Sequence, residues 1–217
     1  MEKFSNRDDL IAAMTDDLTP VKRVRPIEGL LLIGFAAIVA SVVSIATFEW
    51  WDGLLTGGAS GYFLVTHGLL LVLGGASTLA VVTGGLPRVG SRVDAPLWSA
   101  IMLGILPLAA IASLLSGEGN HAHEGLNDPV AFLCTTASLS AGSLVLLAAV
   151  LWLRRTAPVS IERSAWVSGL AAGSLGTLAY GITCPLDTFS HVGIWHVAPV
   201  AISAVFARFV VPPLIRW

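Results

Sequence analysis

Residues 29–48 read GLLLIGFAAIVASVVSIATF and contain no Asp, Glu, Lys or Arg. A helix needs about 20 apolar residues to cross the ~30 Å hydrocarbon layer of a bilayer, so this stretch is long enough to span it. Its apolar residues do not alternate with polar ones, as they do in the strands of a membrane β-barrel. The stretch therefore predicts a transmembrane helix.

Five further stretches, of 20 to 35 residues, also lack these four charged residue types. The spans predicted from all six are about 27–48, 62–83, 95–116, 129–153, 165–184 and 190–210. We expect an all-α fold, in which residues 27–217 form an integral membrane bundle of six transmembrane helices. Residues 1–26 precede the bundle as a cytoplasmic arm that carries a short amphipathic helix.

The composition of the whole chain supports this fold class. Hydrophobic residues make up 55% of the 217 residues and charged residues only 12%, whereas about 25% of a soluble domain is charged. These values exclude a soluble enzyme and a basic nucleic-acid-binding domain. The expected surroundings are a lipid bilayer, and we expect no direct contact with nucleic acid.

The twelve Lys and Arg residues predict the orientation of the bundle. All of them fall in the N-terminal arm, in the loops after the second and fourth spans, or near the end of the sixth span. Cytoplasmic loops of membrane proteins carry the excess of Lys and Arg. Six spans then place every basic residue, and both termini, on the cytoplasmic side. The first span is long enough to remain as an anchor instead of being cleaved as a signal peptide.

The two cysteines are expected near the outer face. Cys134 lies early in the fourth span and Cys184 closes the fifth, so antiparallel packing of these spans could bring them together. Three interpretations stay open: small buried hydrophobic residues, a structural disulfide, or a sensory thiol pair that binds soft metal ions or reacts with oxidants.

All five histidines also lie at or near the outer face. A metal site made by Cys134, Cys184, His196 and Asp187, with His67 and His191 nearby, is a hypothesis about proximity that spacing alone does not establish. No resident cofactor is expected, and at most transient heavy-metal binding. The loop HAHE, which contains His121 and His123, is an exposed polar loop or a second metal-binding segment.

The N-terminal arm has the pattern of an amphipathic helix. One helical face carries the apolar residues Leu10, Ile11, Met14, Leu18 and Val21, and aspartates lie beside or behind it. A helix of about 13 residues is marginal alone in water, so its apolar face must be buried against another surface. That surface is the inner mouth of the bundle or a cytoplasmic partner.

Three segments carry a family resemblance: DDLIAAMTDDLTPVKRVRP (residues 8–26), ITCPLDTFSHVGIWHVAP (182–199) and LIRW (214–217). Together with six spans in some 200 residues, they resemble the NrsF-type anti-sigma factors of proteobacteria. The matching positions are Asp9-Leu10, Asp17-Leu18, Cys134, Cys184-Pro185-Leu186-Asp187 and Trp195-His196. The HAHE loop and His191 do not belong to the family pattern.

The resemblance implies a regulator of transcription and not an enzyme. Such proteins hold an extracytoplasmic-function sigma factor at the bacterial inner membrane and release it under periplasmic stress. It implies that Cys134 and Cys184 sense heavy metals or related stress. The resemblance implicates the arm in sigma binding, through Asp9, Leu10, Asp17 and Leu18. The apolar face of the predicted helix adds Ile11 and Met14 to the expected sigma-binding residues. The alternative function is a membrane redox protein that uses the outer thiols with a quinone or with haem.

Overall fold

The computed structural model describes residues 7–16, 24–86, 94–115 and 130–216, and within these ranges the ordered elements are all helical. The expectation of an all-α fold is therefore confirmed. The helices are α1 (Arg7–Asp16), α2 (Pro26–Phe48), α3 (Gly53–Thr56), α4 (Gly61–Gly84), α5 (Ala95–Leu115), α6 (Ala131–Leu153), α7 (Ile161–Gly181) and α8 (Ala198–Ile215), with a π-helical turn (His191–Trp195) before α8.

Five segments of the described chain are long and apolar enough to cross a membrane. They are α2, α4, residues Ala95–Ala112 of α5, α6, and His191–Ile215, which joins the π-helical turn to α8. Their outward faces are apolar: on α2, Leu31, Phe35, Ile38 and Val42 are all exposed. Such a stripe would be unfavourable in water and is suited to lipid. The protein is therefore a multi-pass membrane protein.

Helix α7 does not reach the hydropathy of the other five, so composition alone does not confirm the expected count of six spans. The hydropathy of α7 is lower because this helix is surrounded by other helices and packs against α2, α4, α6 and α8. Its serines and threonines are buried, and the hydroxyls of Ser174 and Thr177 donate to backbone carbonyls one turn earlier in the same helix. A helix surrounded by other helices can carry small and hydroxyl residues in place of lipid-facing apolar ones.

Small residues allow α7 to approach its neighbours closely. A β-carbon on Gly176 would lie 2.5 Å from both Gly142 Cα and the Ser138 carbonyl oxygen of α6. On the side facing α8, a β-carbon on Gly169 would lie 2.5 Å from Ala204 Cα. The backbones of α6, α7 and α8 therefore touch over several turns, as is common where helices associate in membranes.

The two ends of the bundle differ in charge. Most described arginines from Arg25 onwards lie where α2 and α7 begin or where α6 and α8 end, and Arg208 lies two turns before the end of α8. Two ion pairs join elements there, Arg208–Glu162 at 2.6 Å and Arg163–Asp94 at 3.2 Å. We call this the arginine end. The opposite end, where α6 begins and α7 ends, is called the cysteine end.

The N-terminal arm forms a helix, α1, over ten residues. Ile11 and Met14 on its apolar face are 49% and 66% exposed, and Asp9 is exposed as well. The side chain of Leu10, and residues Asp17 and Leu18 as a whole, lie outside the part of the chain that the structure describes.

Candidate metal centre

Helix α6, the end of α7 and the π-helical turn bring two thiols and two imidazoles together at the cysteine end. Cys134 lies in the first turn of α6, Cys184 follows the C-terminus of α7, His191 begins the π-helical turn, and His196 follows that turn. All four side chains are buried, and one ligand atom of each lies within 4.8 Å of those of the other three. We call these four residues the thiol–imidazole cluster.

No disulfide joins the two cysteines, and both thiols are in close contact with His191. Their Sγ atoms are 3.8 Å apart. His191 Nε2 lies 3.4 Å from Cys134 Sγ and 3.6 Å from Cys184 Sγ, so one imidazole nitrogen faces both sulfur atoms. The Tyr180 hydroxyl oxygen also lies 3.4 Å from Cys134 Sγ.

A hydrogen bond to another histidine, His67, orients His196. Its Nδ1 lies 3.3 Å from His67 Nε2, and His67 Nδ1 lies 2.9 Å from the carbonyl oxygen of Phe63. The other ring nitrogen of His196, Nε2, is buried and has no hydrogen-bond partner among the described residues. His196 is 0% exposed, so water does not reach this nitrogen from the surface.

Asp187 was expected among the metal ligands, but its carboxylate is used elsewhere. The Ser60 backbone N–H donates to Oδ2 at 2.5 Å, and the Ser60 hydroxyl donates to Oδ1 at 2.7 Å. Ser60 is the N-cap of α4 and in turn accepts a hydrogen bond from Phe63 N. Asp187 therefore connects the segment after α7 to the start of α4. The fourth member of the cluster is His191, whereas Asp187 was the expected ligand.

A haem, which the redox alternative invokes, could take two histidine ligands. His67 and His196 bond to each other in this structure, with His196 Nδ1 3.3 Å from His67 Nε2. An ion held between two imidazoles needs about 4 Å between the nitrogens, at ~2 Å per bond, so no iron fits between these two nitrogens.

Two side chains beside the thiols are absent from the predicted ligand set. No sequence pattern indicates Tyr180, and His191 is expected near the site but not as a ligand. The position of His191 depends on the π-helical turn, which has no recognisable sequence signature. Residues His121 and His123 of the HAHE loop lie outside the described residues.

Fold and site together define a class of protein: an all-helical, multi-pass membrane protein with buried thiols at one end and a short exposed helix that precedes its first span. A comparison with protein families then identifies the family. The model for NrsF, described as negative regulator of sigma F, matches residues 14–217. The chain therefore belongs to the NrsF family, whose name denotes negative regulation of a sigma factor. No curated protein and no solved structure matches the chain.

Proposed function

We propose that the protein is an anti-sigma factor that holds an extracytoplasmic-function sigma factor at the bacterial inner membrane. In this proposal, heavy-metal or oxidant chemistry at Cys134 and Cys184 on the periplasmic side releases the sigma factor. The role is regulatory and not catalytic. The observation that supports it best is the polarity of the molecule. The two buried thiols lie at one end, and the arm precedes the opposite, arginine end.

The proposed orientation requires α7 to cross the membrane as a sixth span. Its C-terminal Tyr180 contacts Cys134 at the start of α6, and its N-terminus follows the end of α6 after a short loop. The two helices are therefore antiparallel along their length. At 1.5 Å per residue, the 21 residues of α7 extend about 32 Å, the thickness of a hydrocarbon layer. The arginine end and both termini then face the cytoplasm.

The proposed sigma-binding element is α1. Ile11 and Met14 are large apolar side chains that the described part of the chain leaves exposed. An amphipathic helix of this kind can place its apolar face in a groove of a partner protein. The aspartates beside that face would meet a basic surface, which a protein that binds promoter DNA offers. Asp9, Leu10, Asp17 and Leu18 belong to the proposed contact as well.

Release requires that the two states of the thiols favour different packings of the bundle. A ligand shifts such an equilibrium only by its difference in affinity for the two packings. A coupling free energy of about 1–3 kcal/mol would change sigma binding roughly 5- to 150-fold. Because Cys134 and Cys184 belong to α6 and to the segment after α7, a bond to both would restrain these two elements together.

The test is co-purification of a sigma factor with the intact protein from detergent-solubilised membranes. Met14→Asp places a charge on the exposed apolar face, and Ala12→Asp places the same charge on the opposite face of α1 as a matched control. Burial of a methionine side chain contributes about 1.5–3 kcal/mol, so Met14→Asp should weaken sigma binding roughly 10- to 150-fold. Ala12→Asp should retain the sigma factor.

Two results would overturn the proposal. The first is that no sigma factor accompanies the wild-type protein. The second is equal retention of the sigma factor by Met14→Asp and Ala12→Asp, which would show that α1 does not bind it through this face.

A further inference from the structure

We infer that Cys134, Cys184, His191 and His196 together bind one divalent d¹⁰ ion, with Zn²⁺ and Cd²⁺ as its representatives. The inference deepens the sensing half of the proposed function and rests on that proposal for its biological meaning. It assigns ligands beyond the two thiols and restricts the class of metal ion. His67 does not bind the ion in this assignment and is a positioning residue.

The spacing of the donor atoms fits a tetrahedral site. With Zn–S bonds of about 2.3 Å and Zn–N bonds of about 2.0 Å, tetrahedral angles require roughly 3.8 Å between two sulfurs and roughly 3.5 Å between sulfur and nitrogen. The structure has 3.8 Å between the sulfurs of Cys134 and Cys184. It has 3.4 and 3.6 Å from these sulfurs to His191 Nε2. Three ligands are therefore already at the distances of a metal site, and His196 lies within 4.8 Å of all of them.

Hydrogen bonding sets the tautomer of His196 that a metal needs. A carbonyl oxygen only accepts, so the Nδ1 of His67 that faces the Phe63 carbonyl carries the proton. The Nε2 of a neutral His67 is then an acceptor, and His196 Nδ1–H donates to it. In a neutral His196 this leaves a lone pair on Nε2, the buried nitrogen without a hydrogen-bond partner among the described residues. Outer partners of this kind orient histidine ligands in metal sites.

Charge balance selects the divalent ion. Binding of M²⁺ breaks two S–H bonds, forms two metal–thiolate bonds and releases two protons to solvent. With two neutral imidazoles the complex has no net charge, which suits a buried site. A monovalent ion would leave one buried negative charge, and so would an aspartate in place of one histidine. The engagement of Asp187 by Ser60 agrees with this balance.

The test is metal binding by the purified, reduced, full-length protein in detergent, without any sigma factor. Co²⁺ serves as the optical probe, since thiolate ligands give charge-transfer absorption and tetrahedral geometry gives intense visible bands. The expected result is one Co²⁺ per chain, displaced by an equimolar amount of Zn²⁺ or Cd²⁺. Cys134→Ser, Cys184→Ser, His191→Ala and His196→Ala should each lose the tetrahedral spectrum.

Further variants separate lost ligands from lost folding. His191→Cys returns a donor atom but adds one buried negative charge, so it should bind the metal more tightly than His191→Ala and more weakly than wild type. The control, His121→Ala combined with His123→Ala, should bind normally. His67→Ala should lower the metal affinity roughly 10- to 100-fold, as the loss of an outer partner does. His67→Gln should recover part of it, because its amide oxygen accepts the same hydrogen bond.

The inference is overturned if the reduced wild-type protein binds no Co²⁺ or Zn²⁺. It is also overturned if His191→Ala and His196→Ala bind as wild type does, or if the loop double variant alone loses the metal. Since the metal measurement uses the chain alone, an absence of metal binding would not contradict sigma binding by α1. An absence of sigma binding would likewise not contradict the metal site.

Discussion

Cys134 and Trp152 lie at opposite ends of α6, 18 residues apart. At 1.5 Å per residue they are separated by about 27 Å along the helix. Cys134 belongs to the thiol–imidazole cluster, whereas Trp152 is buried against Gly29 of α2, where an added β-carbon would lie 2.7 Å from the indole ring. Because α2 follows the arm directly, α6 contacts the proposed sensor at one end and the base of the proposed sigma-binding segment at the other.

The contact between Gly29 and Trp152 yields a prediction about this coupling. Gly29→Ala would displace the indole ring without touching the cluster. We expect sigma affinity to change by about 0.5–2 kcal/mol, roughly 2- to 30-fold, with unchanged metal affinity. Gly34→Ala is the control, since a β-carbon there meets nothing within 4 Å. Titration of both variants with sigma factor and with Cd²⁺ checks this, and identical sigma affinities would contradict it.

The proposed six-span orientation can be tested by labelling single cysteines with a membrane-impermeant maleimide. The background is the Cys134→Ser, Cys184→Ser double variant. Leu55→Cys and Val159→Cys form a matched pair, because the native residues are 76% and 75% exposed at opposite ends of the bundle. Leu55→Cys should react in spheroplasts and Val159→Cys only after lysis. Phe189→Cys, which follows α7, should behave as Leu55→Cys does; a reaction only after lysis would mean that α7 does not cross.

Asp187 is predicted to have a structural role. Asp187→Asn removes the charge that strengthens both hydrogen bonds from Ser60. Hydrogen bonds to charged groups contribute about 1.5–3 kcal/mol each, so the unfolding temperature in detergent should fall. Asp52→Asn removes an exposed charge at the same end and should have little effect. Metal stoichiometry should stay at one per chain in both variants, and its loss in Asp187→Asn would make Asp187 a ligand after all.

The close approach of α6 and α7 is predicted to be intolerant of a single methyl group. Gly176→Ala would place its β-carbon 2.5 Å from backbone atoms of Gly142 and Ser138. Overpacking of this kind costs about 1–3 kcal/mol, so the midpoint of thermal unfolding should drop. In Gly75→Ala the methyl group meets nothing within 4 Å, and alanine favours the helix by up to about 1 kcal/mol. Equal midpoints for the two variants would contradict the packing described for α7.

Spans that face lipid could be predicted closely from the sequence. The first span was expected over residues 27–48 and forms α2 from Pro26 to Phe48. Bilayer thickness fixes the length of such a helix, and apolar composition marks it. The fifth span was expected at 165–184, whereas α7 runs from Ile161 to Gly181. The composition of α7 is set by its contacts with other helices. A stretch without charged residues therefore predicts the ends of α7 less accurately than those of a lipid-facing helix.

The sixth span contains a feature that local sequence patterns did not predict, the π-helical turn. It was expected at 190–210, but the chain first forms the π-helical turn and then α8, which continues to Ile215 through Pro212 and Pro213. The turn brings His191 to the two thiols. The sequence predicted that Cys134 and Cys184 could meet. Sequence patterns did not show that His191, and not Asp187, lies beside the thiols. Asp187 is hydrogen-bonded to Ser60, which is distant in the chain, and the π-helical turn places His191 at the thiols.

We propose that metal binding at the cysteine end weakens sigma binding at the arginine end. The decisive measurement is the Kd of the purified sigma factor for the full-length protein in lipid nanodiscs, before and after one equivalent of Cd²⁺. We expect this Kd to rise roughly 5- to 150-fold with Cd²⁺. In Cys184→Ser the Kd should not change. A wild-type Kd that is the same with and without bound Cd²⁺ would show that the two ends are not coupled.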